Sequence, residues 1–294
     1  YFAIGLRYLD TMDFEDGGAL CVEDGARVED VTLVNAPGRS LNITGCDHME
    51  VDCISVYGYR ENSDGIDIVS SMDVRVHDCF LRTGDAAAVV KAMMPPPRTG
   101  GRDIRCERCA AWNDKVRCFG IAAESVNDIS DVYFGNCDVI RSYADWTLEL
   151  GALVVYICDC ALVERVAFEN IRIEHKKHLG AHVMITKDFW SKIKAAGNIR
   201  NVEFRNISLP RGVQCRIAGY DAEHTVRGYA LSTLNAEVSR RLRWRIREFR
   251  FAIMLMTLLC AAIRLYENAP SGRVISAVTT FLPNEAFAQF LLLA

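Results

Sequence analysis

No apolar stretch of this chain reaches the roughly 18–20 residues that a bilayer-spanning helix needs. The run from Phe251 to Ile263 is interrupted by Thr257 and stops short. A concentration of positive charge is also missing: no lysine- or arginine-rich face dominates the first 235 residues, and the net charge is −4. That balance argues against a nucleic-acid partner. The regularly spaced leucines of leucine-rich repeats are missing, as is the 3.6-residue period of helical repeats. So are a glycine-rich phosphate loop, a Ser-His-Asp order and an EF-type calcium loop.

What the 294 residues do hold is 50% hydrophobic and 24% charged, enough for one large core or two ordinary domains. Twelve cysteines raise the question of disulfides. Several fall in register with Ile and Val of other repeats, which predicts reduced thiols packed as small apolar groups. Cys106-Glu107-Arg108-Cys109 has the spacing of a zinc half-site, but no second CxxC or histidine pair completes it. No metal and no cofactor are expected.

Repeats are the organising signal. A first column reads Met49, Val74, Ile104, Val132, Val166 and Val202. Two residues later come Val51, Val76, Cys106, Phe134, Phe168 and Phe204, and three further on Ile54, Cys79, Cys109, Cys137, Ile171 and Ile207. Just ahead of the third column sit Cys53, Asp78, Arg108, Asn136, Asn170 and Asn206. Short strands, an apolar interior and Asn/Asp/Gly turns predict an all-β chain wound as a parallel β-solenoid, with both ends needing a cap.

Within that repeat, Asn62-Ser63-Asp64-Gly65-Ile66-Asp67 is followed by Gly84-Asp85-Ala86-Ala87-Ala88-Val89-Val90-Lys91. Met72 to Leu81, between them, alternates like a half-buried strand. Asp64 and Asp85 are therefore predicted on neighbouring coils, roughly 4.7–4.9 Å apart along the stack. Two carboxylates on one wall of a groove are the minimum equipment for glycoside hydrolysis. The plainer reading is that both merely bond backbone amides in tight turns. Lys91 is read three ways: gripping a uronate, hydrogen-bonding an acid, or snorkelling to the surface. Trp112, Trp146 and Phe119 are sugar-stacking or core candidates. Asp138, Asp145 and Glu149 read as solvated turn charges, and His77 as an exposed strand residue.

Val31 to Pro37 reads as a strand ended by proline. Residues 93–102, with Pro95, Pro96 and Pro97, read as a loop overhanging the groove. Residues 174–199 read as a polar excursion holding a strand from Ala181 to Ile185, with a metal cluster around His175, His178 and His182 as the rival. From Ala236 the character changes. Six arginines between Arg240 and Arg250 precede the apolar run. The division expected is a β-solenoid over 1–235 and a basic, apolar, helical, non-solenoid tail over 236–294. For that tail a membrane-surface helix through 240–266, a packed cap or dimer helix, and an altered reading frame all stay open. The chain begins at Tyr1 rather than Met, so residues ahead of it are expected and the export route stays open.

Asn62-Ser63-Asp64-Gly65 followed by Gly84-Asp85 and Val89-Val90-Lys91 resembles the polygalacturonase family, glycoside hydrolase family 28. That family's pattern is Asn-Thr-Asp-Gly, then Gly-Asp-Asp, then a hydrophobic pair and Lys. Val34-Asn35-Ala36-Pro37 resembles its upstream Asn-Ser-Pro turn, and the likeness covers roughly residues 25–235. It implies a right-handed parallel β-helix, an extracellular protein and inverting hydrolysis of pectic or related polysaccharides. It implies Asp85 as general acid, Asp64 as one of two water-activating carboxylates, and Asn62, Lys91 and Glu124 as substrate-binding residues.

The second water-activating carboxylate falls on Ala86. The family's Gly-His-Gly is replaced by Cys118-Phe119-Gly120-Ile121-Ala122-Ala123-Glu124-Ser125, where Glu124 is a candidate for the missing carboxylate or for a sugar hydrogen bond, with Asp67 the other candidate carboxylate. Of its Arg-Ile-Lys, Cys215-Arg216-Ile217-Ala218 keeps two residues. Slow catalysis is expected, with a catalytically inactive carbohydrate-binding or structural β-helix as the alternative.

Overall fold

The structure is a computed structural model that describes residues 20–21, 24–94, 100–143, 150–176, 179–188 and 190–234. These fall within the first of two units, Tyr1–Asn235. The predicted tail over 236–294, with its membrane segment 240–266, lies outside the described residues. So do Asp145, Trp146, Glu149, His178 and the proline run 95–97.

Every described element is a strand, and every pairing is parallel. One sheet stacks Leu20–Cys21 (β1), Leu41–Thr44 (β4), Ile66–Val69 (β7), Ala88–Ala92 (β10), Phe119–Ser125 (β13), Leu153–Ile157 (β16), Leu179–Ile185 (β19) and Gln214–Ala218 (β21). A second face stacks Arg27–Glu29 (β2), Asp47–Asp52 (β5), Met72–His77 (β8), Gly101–Glu107 (β11), Ile129–Gly135 (β14), Leu162–Glu169 (β17), Asn198–Ser208 (β20) and Val226–Leu234 (β22). A third stacks Thr32–Val34 (β3), Ser55–Tyr57 (β6), Phe80–Thr83 (β9), Ala110–Asn113 (β12), Asp138–Ser142 (β15) and Arg172–Ile173 (β18). Each strand thus pairs with its counterpart one coil away, three strands later in the chain except at the end, where β18 pairs β20, β19 pairs β21 and β20 pairs β22. That is a parallel β-helix.

The three apolar columns occupy its interior. Met49, Val74, Ile104, Val132, Val166 and Val202 pair in register, and so do Val51, Val76, Cys106, Phe134, Phe168 and Phe204. All are buried. Phe134 stacks on Phe168 with centroids 5.1 Å apart, and Phe168 on Phe204 at 4.8 Å. Nine of the described cysteines are free thiols; six of these, including Cys106 and Cys109, are buried. Burial pushes the Cys118 thiol up to about 12, which leaves it unreactive at neutral pH.

Two turn columns shape each coil. Cys53, Asp78, Arg108, Asn136, Asn170 and Asn206 all take left-handed backbone angles. Asp78 therefore divides the predicted strand 72–81 into β8 and β9. Asn170 Nδ2 donates to Asn136 Oδ1 at 3.2 Å, and Asn206 Nδ2 to Asn170 Oδ1 at 2.6 Å. Asn tolerates this angle and Ala does not, so Asn170→Ala should cost about 1–2 kcal/mol in urea unfolding. A second left-handed column was not foreseen: His48, Asp73, Asp103, Asp131, Arg165 and Asn201.

Val31 to Pro37 contains β3, and the strand expected at Ala181 to Ile185 is the end of β19. The loop expected over 93–102 ends earlier, since Gly101 and Arg102 already pair with Ile129 and Ser130. Among the described residues no helix is long and apolar enough to cross a membrane.

Candidate active site

The outward face of the first sheet carries the polar motifs. Ile66 and Ile68 of β7 point into the core, so Asp67 points out. Its register partners on successive coils are Asn42 on β4, then Val89, Gly120, Val154, His182 and Arg216.

Asp64 sits in the turn entering β7, and Asp85 in the turn entering β10. Backbone and hydroxyl bonds lock the two turns together. Gly84 N donates to Ser63 Oγ at 3.0 Å, Gly65 N to Ala86 O at 2.8 Å and Asp85 N to Ser63 O at 3.4 Å. The approach is so close that a Cβ on Gly65 would strike the Ala87 carbonyl, and one on Gly84 the Arg60 carbonyl. Asn113, fully buried on the next coil, donates to Thr83 Oγ1 at 3.0 Å and to the Asp85 carbonyl.

The side chains form one charged cluster. Asp67, fully buried, takes Arg39 Nε at 2.7 Å and Lys91 Nζ at 2.8 Å, both on Oδ2. Lys91 Nζ also lies 3.4 Å from Asp64 Oδ2. Lys91 is buried, so it neither snorkels nor lies open to grip a uronate; its charge faces the acids. Asp85 Oδ1 accepts from Ala86 N at 2.7 Å and faces Arg117 Nη2 at 3.8 Å. Glu124 on β13 is half-buried. Burial pushes its carboxyl up, but Lys91 and the backbone amides of Glu124 and Ala123 outweigh that and hold it below its ordinary value.

Burial and the charges of Asp67 and Asp85 push the Asp64 carboxyl well above the usual carboxylate range, against Lys91. Asp67 goes the other way: burial raises it, and the Lys91 and Arg39 cations more than offset that. The two acids have opposite linkage. Asp64 holds its proton better when folded, so its contribution to stability declines as pH rises from about 4 through its folded value. Asp67 contributes stability above about 4 that is lost as pH falls through its lower folded value. Asp64→Asn should therefore flatten the decline between pH 4 and 7 in urea midpoints. An unchanged slope would contradict this account of the cluster.

Of the other predicted residues only Asn62 stays beside the acids. Asn62 shapes the Asp64 turn with a left-handed angle. Phe119 points into the core and offers no face to a sugar. Trp112 lies under the guanidinium groups of Arg82 and Arg141, from the coils on either side, at 5.5 and 5.7 Å. Asp138 is no free turn charge, since it pairs with Arg172 at 3.0 Å. His77 is not exposed either; it is ringed by Glu50, Asp52 and Asp78. Asp52, His77 and Asp78 bring three ligand atoms within 4.8 Å, but Arg27 and Arg108 already engage the two carboxylates. His175 stacks on Tyr143, away from His182 on the first sheet. Arg216 sits three coils beyond Glu124, too far along the stack to join the cluster.

Ala86 is fully buried in a separate apolar group with Val89, Val116, Leu150, Val154 and Tyr156. Arg39 and Arg117 carried no motif in the sequence. Asp67 had one usable signal, a charge on the outward phase between two core isoleucines.

The family model described as glycosyl hydrolases family 28 matches residues 21–219. No curated protein sequence matches significantly. Among solved structures, the polygalacturonase from Erwinia carotovora ssp. carotovora aligns at 17% identity and TM-score 0.35, over 68% of this chain and 56% of its own. A hyperthermoactive exopolygalacturonase from Thermotoga maritima aligns at 11% and 0.37, over 66% and 53%. The catalytic domain of a family 87 α-1,3-glucanase in complex with nigerose aligns at 10% and 0.28, over 70% and 50%. The chain spans just over half the length of the first two and half that of the third.

Proposed function

Since the chain belongs to glycosyl hydrolases family 28, we infer that it cleaves glycosidic bonds of a pectic or related acidic polysaccharide, with inversion, using Asp64 and Asp85 as its acid/base pair. The observation that carries this reading is the placement of both acids on stacked turns of one face, inside a cluster of matched charges. Inversion needs one carboxyl to protonate the leaving oxygen and another to deprotonate water across the sugar ring. A proton shared among crowded carboxyls meets the first need and an ionised neighbour meets the second. Asn62, Lys91 and Glu124 belong to the same site. Lys91 acts by holding Asp64 and Asp67, and Glu124 supplies a further ionised oxygen at its edge.

Turnover is expected to be slow, because Ala86 offers no third carboxylate for the water. The buried apolar group around Ala86 favours a second reading, a β-helix that holds glycan without cleaving it. Reducing-end release from a panel of pectic polymers separates the two. The hydrolase reading expects release by the natural chain and a loss of about 10²-fold or more in Asp64→Asn and in Asp85→Asn. Binding with no release from any polymer would favour the second.

A further inference from the structure

We propose that the third face of the β-helix carries a second, non-catalytic binding row, which holds the free carboxylates of a uronate polymer through Arg82 and Arg141. The choice of ligand rests on the hydrolase reading; the row itself rests on geometry.

Register sets the row. Val34, Tyr57, Arg82, Trp112 and Arg141 oppose one another on successive coils, and the first four each follow a core residue, so they face outward. Arg141 joins them because β15 carries one extra residue. Val139 opposes Ala111 while Arg141 opposes Trp112, which leaves Ile140 unpaired between them. Without that bulge Ile140 would stand in the row and Arg141 would take the inward phase; bulges re-aim side chains in this way. The row runs along the stack, parallel to the line of Asp64 and Asp85. Between Arg82 and Asp85, Thr83 Oγ1 donates to the Asp85 carbonyl at 2.6 Å and ties the row to the catalytic turn.

The donors of the row are held but not spent. Trp112 has Arg82 over its ring at 5.5 Å and Arg141 at 5.7 Å, and Arg141 also lies over Tyr143 at 4.4 Å. Contact with a ring fixes a guanidinium and leaves its N–H groups available. Arginines elsewhere are committed to acids: Arg75, Arg108, Arg165 and Arg205 each meet a carboxylate at 2.7 to 2.9 Å. Among the described residues Arg141 meets no carboxylate, and Arg82 meets only Asp114, at 3.7 Å. Asp114 is itself occupied by the Trp112 indole N–H at 2.9 Å. Lys115 and Glu61 close by neutralise each other at 2.7 Å.

One uncompensated cation and one loosely paired cation thus stand two coils apart, roughly 9–10 Å along the stack, on a chain of net charge −4. A guanidinium takes a carboxylate through two parallel N–H bonds, a match that a neutral sugar does not offer. A small anion engages one of the two arginines. A polymer with a carboxylate on every sugar engages both, and its second contact is intramolecular. Held there, the polymer stays at high local concentration beside the turn of Asp85.

Affinity electrophoresis in the cold, through gels holding polygalacturonate, tests the row. The natural chain should be retarded, and Arg82→Gln and Arg141→Gln should each bind about tenfold more weakly, the lower end for a lost hydrogen bond to a charged group. Phenylglyoxal labelling of the natural chain, read by peptide mass, needs no variant to fold. Polygalacturonate should shield Arg82 and Arg141 from the reagent, and the fully methyl-esterified polymer should not. An unretarded natural chain, variants that bind as it does, unshielded arginines, or tighter binding of a single-stranded oligonucleotide overturns the proposal. Retardation and shielding without reducing-end release overturn the hydrolase reading and leave the row standing. Release with no loss of binding in either variant does the reverse.

Discussion

Replacing Ala86 by aspartate is expected to destabilise the protein by about 3–5 kcal/mol at neutral pH and to raise no hydrolytic rate. By motif this substitution restores a missing catalytic group. By structure it drives a carboxylate into Val89, Val116, Leu150, Val154 and Tyr156, with Asp85 as its immediate neighbour. Burial and that like charge would raise the pKa of the new acid, so the folded state favours its protonated form. The penalty is therefore fullest at pH 8 and shrinks towards pH 4, where the proton is held in both states. Denaturant unfolding at the two pH values checks the sign. Equal losses at both, or a gain in rate, would show that the apolar group yields easily. Ala86 is thus surrounded by apolar side chains that leave a carboxylate no polar partner among them.

Lys91→Met should cost about 3 kcal/mol, the lower end of the range for breaking a buried ion pair from one side. It strands Asp67, which is fully buried, and Asp64, which is nearly so. Arg39, still 2.7 Å from Asp67 Oδ2, keeps the loss from being larger. The cation lowers both acids, so its removal raises both, and the damage should be worse at high pH than at low. Adding Asp67→Asn to Lys91→Met should recover part of the loss, because the stranded charge is gone. Urea midpoints of the three variants give the comparison. A loss below about 1 kcal/mol for Lys91→Met would place the ammonium in solvent, as for an exposed pair.

Much of the winding was legible because its signal is redundant. Val74, Ile104, Val132, Val166 and Val202 repeat one requirement, an inward apolar group at a fixed strand phase, so loops of unequal length do not hide it. The turn column ahead of Ile171 was legible as polar residues, and its cause is now visible: Asn136, Asn170 and Asn206 take left-handed angles and bond to one another. The companion column escaped notice because its members share a backbone angle and no side-chain type. His48 and Arg165 stand where Asp and Asn stand on other coils.

At the site, Asp64 and Asp85 could be placed on adjacent turns because a motif marks each. Arg39 and Arg117 could not, since they reach the acids from separate coils through long side chains that no local spacing encodes. Lys91 was ambiguous for the same reason. Its role depends on Asp67, a partner one coil away that pairing brings within 2.8 Å. Phe119 was misleading because an aromatic residue near a glycine looks alike on either face of a strand until the register is known.

The most direct measurement is the configuration of the first sugar released, followed by ¹H NMR while the chain digests oligogalacturonate. An inverted anomer that gives way to the equilibrium mixture, absent from an Asp64→Asn/Asp85→Asn double variant, is the predicted result. A retained anomer, or equal release by that double variant, would contradict it.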